Sequence, residues 1–169
     1  MMKPQPNEYG SFYKGYIDLV QDLDGIMALS NSRDYFLNTL RKFPESKAQY
    51  KYAPEKWTVN DLVQHIIDAE IVFMYRALCV ARGDKTSLPG FEQDDYVVQA
   101  QADFKSLNEL THSFELVRNT TINLFKGFSN SSLENIGKAS GYDISVRALG
   151  FIISGHSIHH ANILNERYL

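Results

Sequence analysis

The sequence predicts an all-α protein built as an antiparallel four-helix bundle with a metal site between helices. Four stretches repeat apolar residues at helical spacing, while no stretch sustains the alternation of a half-buried strand and no Asn-Gly hairpin signal occurs. A length of 169 residues fits one domain of this kind. We expect residues 1–15 to form an N-terminal leader and residues 16–169 to form the single bundle domain.

Stop and start signals predict the bounds of the first two helices. The first covers residues 24–43 and is ended by Pro44, which cannot continue a helix. The second follows Thr58, an N-cap residue, and Asp61 three positions later completes a pattern typical of a capping box. This helix is expected over residues 59–82.

The second half of the chain predicts two more helices. Apolar spacing favours a single helix over residues 94–125, ended by Gly127. The last helix is expected to begin after an N-cap at Ser145 or Asp143 and to run to about residue 167. Strand signals are weak throughout the sequence, so no sheet is expected.

Composition excludes several classes of protein. The net charge of −3, from 20 acidic and 17 basic residues, argues against binding to a nucleic-acid backbone. No apolar run approaches the ~18 residues of a membrane span. The single cysteine, Cys79, excludes an intrachain disulfide. We therefore expect a soluble, cytoplasmic protein that acts in a reducing compartment, with neither a nucleic-acid nor a membrane partner.

Two histidines of the last predicted helix indicate a metal site. His156 and His160 are four positions apart, which places both imidazoles on one helix face. Apolar residues share that face, so both rings should point inward, where each would cost about 1–3 kcal/mol if it lacked a partner. One divalent metal ion would satisfy both rings. Alternatively, they are hydrogen-bonded core residues.

His65 is the candidate for a third ligand, because it borders the apolar stripe of the second predicted helix. Three histidines leave at least one coordination position open, as catalytic sites require. Imidazole ligands suit Zn(II) or Ni(II), and Fe(II) or Mn(II) remain alternatives. Spacing alone leaves open whether His65 reaches the other pair, since it does not give the register of the bundle.

Other polar residues near the histidines are candidates for supporting roles. His159 adjoins His160 and either supports the site, faces the substrate as a base or lies on the surface. Asp68 follows His65 by three positions and either orients its ring or is exposed. Glu70 is expected to form an interhelical ion pair with Arg76 or Arg147.

Motifs of other enzyme classes are missing from the sequence. It contains no G-x-S-x-G nucleophile elbow, no G-x-G-x-x-G and no phosphate-binding G-x-x-x-x-G-K-[ST]. One E-x-x-H pattern, Glu109 to His112, occurs, whereas di-iron bundles need it twice together with further inward glutamates. The sequence therefore argues against a di-iron site, and His112 is expected on the surface.

Four segments together resemble the DinB-like superfamily. They are residues 56–65 (KWTVNDLVQH), residues 75–78 (YRAL), residues 81–91 (from ARGDK to LPGF) and residues 155–169 (from GHSIHH to ERYL). Their order and spacing make the resemblance specific, and it extends from about residue 50 to residue 169.

The resemblance implies a four-helix bundle, a homodimer, and one divalent metal ion held by His65, His156 and His160. Members of the superfamily include S-transferases that use the low-molecular-weight thiols bacillithiol or mycothiol, and maleylpyruvate isomerases. The leading hypothesis is accordingly a metal-dependent thiol transferase or hydrolase acting on a small molecule, with His159 or Asp68 assisting proton movement. The alternatives are a non-catalytic bundle that binds a metal or small molecule, and a structural dimerisation module.

Overall fold

The computed structural model describes residues 1–21 and 24–169 and shows a mostly helical chain. The α-helices are α1 (Lys14–Leu19), α2 (Gly25–Leu40), α3 (Val59–Ala81), α4 (Gln93–Ala100), α5 (Leu107–Lys126), α6 (Asn130–Leu133) and α7 (Val146–Ile163). The strands are β1 (Ser87–Leu88), β2 (Ile136–Ala139) and β3 (Tyr142–Ser145). None of the described helices has the length and hydropathy needed to cross a membrane.

The four long helices α2, α3, α5 and α7 enclose the core. α2 packs against α5 and α7, and α3 packs against the same two helices. The buried apolar residues form two clusters that divide along α7, with Ile153 in one cluster and Ala161 in the other. The turns of α7 between these two residues bury polar side chains, so a polar layer separates the two apolar clusters.

Capping residues define where the long helices begin. Thr58 Oγ1 accepts a hydrogen bond from the Asp61 backbone N–H, and Asp61 Oδ2 accepts one from the Thr58 N–H, both at 3.0 Å. This capping box confirms the predicted start of α3. Ser145 caps α7 by accepting a hydrogen bond from the Ala148 N–H at 3.0 Å, so Ser145 rather than Asp143 is the N-cap.

The prediction of one helix over residues 94–125 is wrong. The chain breaks after α4 at Gln101, which has a left-handed φ of 48°, and α5 begins only after the new N-cap Ser106. The buried Asn60 side chain donates hydrogen bonds from Nδ2 to the carbonyls of Ala102 (3.1 Å) and Lys105 (2.7 Å). The Ala102 carbonyl also accepts a hydrogen bond from the Lys105 backbone N–H at 3.1 Å, so the Asn60 side chain ties this turn between the two helices to α3.

The expectation of an all-α protein without strands is also wrong, since the structure contains a small three-stranded sheet. β2 and β3 are antiparallel, with Lys138 opposite Asp143, and β1 adds to β2 in parallel. The β2–β3 turn consists of Ser140 and Gly141, both with positive φ, as a two-residue type I′ turn requires. Strands of two to four residues are too short to show a pattern of alternation.

The N-terminal segment packs against the same helices as the rest of the core. Ile17 and Val20 are buried, and α1 crosses α7 at Gly155. A Cβ atom added to Gly155 would lie 1.9 Å from the backbone oxygen of Tyr16. Only glycine therefore allows α1 and α7 to approach this closely.

Glu8 joins the N-terminal segment to the start of α7. Its carboxylate accepts hydrogen bonds from Arg147 Nε (2.7 Å), from Arg147 Nη2 (2.5 Å) and from Ser145 Oγ (2.7 Å). Burial raises the pKa of Glu8, but the hydrogen bonds from Arg147, Gln5 and Ser145 outweigh this and hold the pKa below its usual value.

Replacing Glu8 with glutamine is expected to lower the free energy of unfolding at pH 7 by about 1–3 kcal/mol, because it weakens charge-assisted hydrogen bonds. Since the folded-state pKa is depressed, the unfolded chain binds more protons at low pH, and the stabilisation is lost as the pH falls through the folded-state pKa. Urea unfolding at pH 7 and near pH 3 measures this difference. The exposed Glu115→Gln is the control, and an equal loss at both pH values would contradict the prediction.

Candidate metal centre

Three buried histidines from two packed helices meet at one point in the polar layer. His65 comes from the second turn of α3, and His156 and His160 come from consecutive turns of α7. His156 Nε2 lies 3.2 Å from His65 Nε2 and 3.1 Å from His160 Nε2. One nitrogen from each ring lies within 4.8 Å of the others.

The arrangement of these nitrogens fits a single metal ion. Two nitrogens bound tetrahedrally to one zinc ion at about 2.0–2.1 Å are about 3.3–3.4 Å apart, close to the separations that His156 shows from both partners. In His160 it is Nε2 that faces His156, while the buried Nδ1 atom on the other side of the ring has no hydrogen-bond partner among the described residues. Three convergent imidazoles form the donor set preferred by Zn(II) and Ni(II).

All three imidazoles are uncharged at neutral pH. Burial lowers the pKa of His65 to about 4, against an opposing effect of the Asp94 charge. Burial also lowers the pKa of His156 and of His160 well below the usual value, and the neighbouring imidazoles add to this effect. Metal ligation requires the neutral form of histidine, so no proton has to be removed from these rings before an ion binds.

A buried ion pair lies beside the histidines. Arg118 on α5 binds the Glu70 carboxylate on α3 through two hydrogen bonds, from Nε (2.7 Å) and from Nη2 (2.8 Å). The same Nη2 donates to Ser157 Oγ at 2.5 Å, and Ser157 is the chain neighbour of His156. Arg118 therefore connects the helix that carries His65 with the helix that carries the other two histidines.

Arg118 also reaches the fourth long helix. Its Nη1 atom donates to the Leu29 carbonyl at 3.1 Å and to Ser32 Oγ at 2.8 Å, both on α2. The expected pairing of Glu70 with Arg76 or Arg147 does not occur, because Arg118 takes both carboxylate oxygens and Arg147 binds Glu8 instead.

A cleft of about 400 Å³, a size typical of small-molecule sites, opens onto two of the three histidines. Its wall contains His65 and His156 together with aromatic, polar and small residues: Phe12, Tyr13, Tyr16, Ala69, Phe73, Arg76, Gly90, Phe91, Glu92, Gln93 and Ser140. A groove of about 900 Å³ runs past Trp57 and Asp94 but includes none of the three histidines. The smaller cleft is therefore the candidate substrate site.

Aromatic rings surround the histidines. The ring centre of Tyr16 lies 5.2 Å from that of His156, Phe73 lies 6.0 Å from the same ring, and Trp57 lies 4.8 Å from His65. Burial raises the pKa of Tyr16, so its phenol keeps its proton at neutral pH. The packing of α1 against α7, which brings Tyr16 to His156, cannot be read from sequence spacing.

The two candidates for proton transfer lie in different surroundings. His159 is half-buried, with its ring centre 5.3 Å from that of Tyr16 and 4.9 Å from that of His160. Asp68 Oδ1 accepts a hydrogen bond from Gln64 Nε2 at 2.8 Å, and its carboxylate lines another groove. His112 is exposed on α5, as expected.

Sequence reasoning missed the importance of two buried arginines. Arg118 was not singled out, and Arg76 was considered only as an ion-pair partner. Both continue apolar stripes at helical spacing, Arg118 four residues after Phe114 and Arg76 three residues after Phe73. An arginine in such a stripe is the signal that could have identified them, because a buried guanidinium needs several acceptors.

Comparisons with known proteins agree with this fold. YfiT from Bacillus subtilis, described as a probable metal-dependent hydrolase with an unusual four-helix bundle topology, matches with a TM-score of 0.72 and 12% identity, over 97% of this chain and 90% of its own. A mycothiol-dependent maleylpyruvate isomerase matches with a TM-score of 0.69 and 13% identity, over 82% of this chain.

The isomerase is the longer protein, since the match covers 58% of its chain. At these identities the two structures share the fold alone. The search of curated proteins gave no match. The family model of the DinB superfamily matches residues 28–164, which include all three clustered histidines. Because this match extends over most of the sequence, the chain belongs to the DinB superfamily.

Proposed function

We propose that the protein is a metal-dependent enzyme that binds one divalent ion per chain through His65, His156 and His160. The observation that carries this proposal is the convergence of three buried, neutral imidazoles, two of which, His65 and His156, line a small-molecule cleft. We also propose that the four long helices are arranged as an antiparallel bundle and that the protein acts as a cytoplasmic homodimer.

The donor set favours Zn(II) or Ni(II), with Fe(II) and Mn(II) as alternatives. Three protein ligands leave coordination open on the cleft side, and a bound ion would acidify a water or a thiol there at neutral pH. The chain's own contribution is to hold the imidazoles apart from bulk water and to keep them neutral. Phe73 and Tyr16 restrict access to His156 from the cleft.

The reaction we favour is transfer of a low-molecular-weight thiol to an electrophilic small molecule, with hydrolysis as the second candidate. The description of YfiT as a probable hydrolase and the mycothiol dependence of the isomerase support these two classes. We propose that His159 and Tyr16 hold and move protons beside the histidines, since the Tyr16 ring contacts both His156 and His159. Asp68 has no part in this proposal, because its carboxylate lines another groove.

Metal-dependent turnover tests the proposal. Protein stripped with a chelator and reloaded with Zn(II), Ni(II), Fe(II) or Mn(II) is assayed for ester hydrolysis with p-nitrophenyl acetate. It is also assayed for attack of cysteine on 1-chloro-2,4-dinitrobenzene, in which the thiolate displaces chloride. We expect at least one metal to restore turnover and a chelator to remove it, while the His112→Ala control remains active.

Two other outcomes separate the alternatives. One metal ion per chain without turnover in either assay would favour a non-catalytic bundle that binds a metal or small molecule. A protein that takes up none of the four ions, with thermal unfolding unchanged by chelator, would favour a structural module with core histidines.

A further inference from the structure

Arg76 places a positive charge in the wall of the cleft, and no described residue forms an ion pair with it. Its side chain is buried, with 2% of the residue exposed. Nη2 donates to the Pro89 carbonyl at 2.7 Å and to Ser140 Oγ at 3.1 Å, and neither acceptor is charged. Among residues 1–21 and 24–169, no carboxylate pairs with it, whereas the buried Arg118 binds Glu70.

A buried guanidinium without a counter-ion is costly, so the absence of a carboxylate partner calls for an explanation. Pro89 and Ser140 satisfy hydrogen bonds but not the charge. Phe73 and Phe91 lie 5.7 and 5.9 Å from the guanidinium carbon, a cation–π arrangement that offsets part of the cost. These contacts leave the charge of the guanidinium without a direct ion-pair partner among the described residues.

The same cleft connects Arg76 to the histidines. The ring of Phe73 is close to both, with its centre 6.0 Å from that of His156 and 5.7 Å from the guanidinium carbon. A molecule that spans one aromatic ring can therefore contact both the histidines and the arginine. The wall along this path is largely aromatic, which suits an apolar stem.

We propose that Arg76 binds the carboxylate of the small molecule whose reactive end lies at the three histidines. The identity of the reactive end rests on the proposed function, whereas the carboxylate site rests on Arg76 alone. Arginine offers a planar fork of donors that matches a carboxylate. The Tyr13 phenol and the Ser140 hydroxyl line the same wall and add neutral donors.

The charges in the wall favour a carboxylate over a doubly charged phosphate. Arg76 is the lone cationic side chain in the described lining, and Glu92 adds a negative charge to the same lining. One positive charge balances one carboxylate, whereas a dianion would meet additional repulsion from Glu92. The substrate class is therefore a small monocarboxylate with an apolar stem and a metal-binding group, such as a thiol, at the opposite end.

Calorimetric titration of the zinc-loaded protein with 6-mercaptohexanoate and 6-mercapto-1-hexanol tests this assignment. The two thiols match in length and differ in charge. We expect the wild type to bind the carboxylate about tenfold more tightly, as one charge-assisted interaction allows. Arg76→Gln should bind both thiols with equal affinity, and the affinity for the alcohol should not change. Arg82→Gln, which changes an exposed arginine outside the cleft lining, is the control and should keep the preference.

A second measurement separates the carboxylate site from the metal site. In metal-free protein, hexanoate but not hexanol should shift the NMR signal of the Arg76 Nε–H group, which the Arg76→Lys variant assigns. If hexanoate causes this shift but the protein takes up no metal in separate titrations, the result would support the carboxylate site and contradict the proposed function. Equal binding of both thiols by the wild type, an unchanged preference in Arg76→Gln, or no shift with hexanoate would each show that Arg76 is structural only.

Discussion

Replacing His160 with alanine will reduce the bound divalent metal from about one ion per chain to near zero. The variant keeps two imidazoles, and His156 loses the partner whose Nε2 atom lies 3.1 Å away. Loss of a group that merely supports a ligand typically weakens metal binding about 10–100-fold, and loss of a ligand itself should exceed this. Elemental analysis of tag-free protein, purified without a nickel column, measures the change.

The control for this prediction is His112→Ala, which removes an exposed histidine of α5 and should retain the metal. Circular dichroism establishes that both variants keep the helical content of the wild type. Full metal occupancy in a folded His160→Ala variant would contradict the ligand assignment. Loss of metal from His112→Ala as well would show that the measured metal is bound elsewhere on the surface.

Replacing Arg118 with alanine will lower the free energy of unfolding by about 3–5 kcal/mol, the usual cost of leaving one member of a buried ion pair without its partner. The side chain is fully buried and donates to groups on α2, α3 and α7. Without it, the Glu70 carboxylate and the hydroxyls of Ser32 and Ser157 lose their shared donor. Urea unfolding of metal-free protein measures the change.

Arg41→Ala is the matched control, because Arg41 is exposed and surface substitutions usually change stability by less than about 0.5 kcal/mol. A double-mutant cycle with Glu70→Ala isolates the pair itself. The free energy of unfolding lost in the double variant should be much smaller than the sum of the losses in the two single variants, because the double variant removes both charges. An Arg118→Ala loss below about 1 kcal/mol, or strict additivity, would contradict the role given to this pair.

The sequence predicted the histidine cluster because local rules determine most of it. The spacing of His156 and His160 places them on one face of any helix, and an amphipathic stripe placed His65 beside the core. The Thr58–Asp61 capping box was predictable for the same reason, since both partners lie within one turn. The resemblance to a family then supplied the register between α3 and α7, which periodicity could not provide.

The features that sequence reasoning missed depend on distant residues. The break between α4 and α5 contains neither glycine nor proline, and the Asn60 side chain on α3 stabilises it. The partner of Glu70 depended on which arginine the fold brings to it, and Arg118 is 48 positions away. Tyr16 reaches the cleft because Gly155 allows α1 to pack closely against α7, and the spacing of residues in the sequence does not reveal this contact.

The close crossing of α1 over Gly155 also determines how the histidines are shielded from solvent. α1 packs against α7, and the Tyr16 ring centre lies 5.2 Å from that of His156, so the N-terminal segment covers this side of the site. The packing of α3 on α7 brings the three histidines together and does not require α1. Undocking of the N-terminal segment would therefore open the imidazoles to solvent on the Tyr16 side without separating the two helices that carry them.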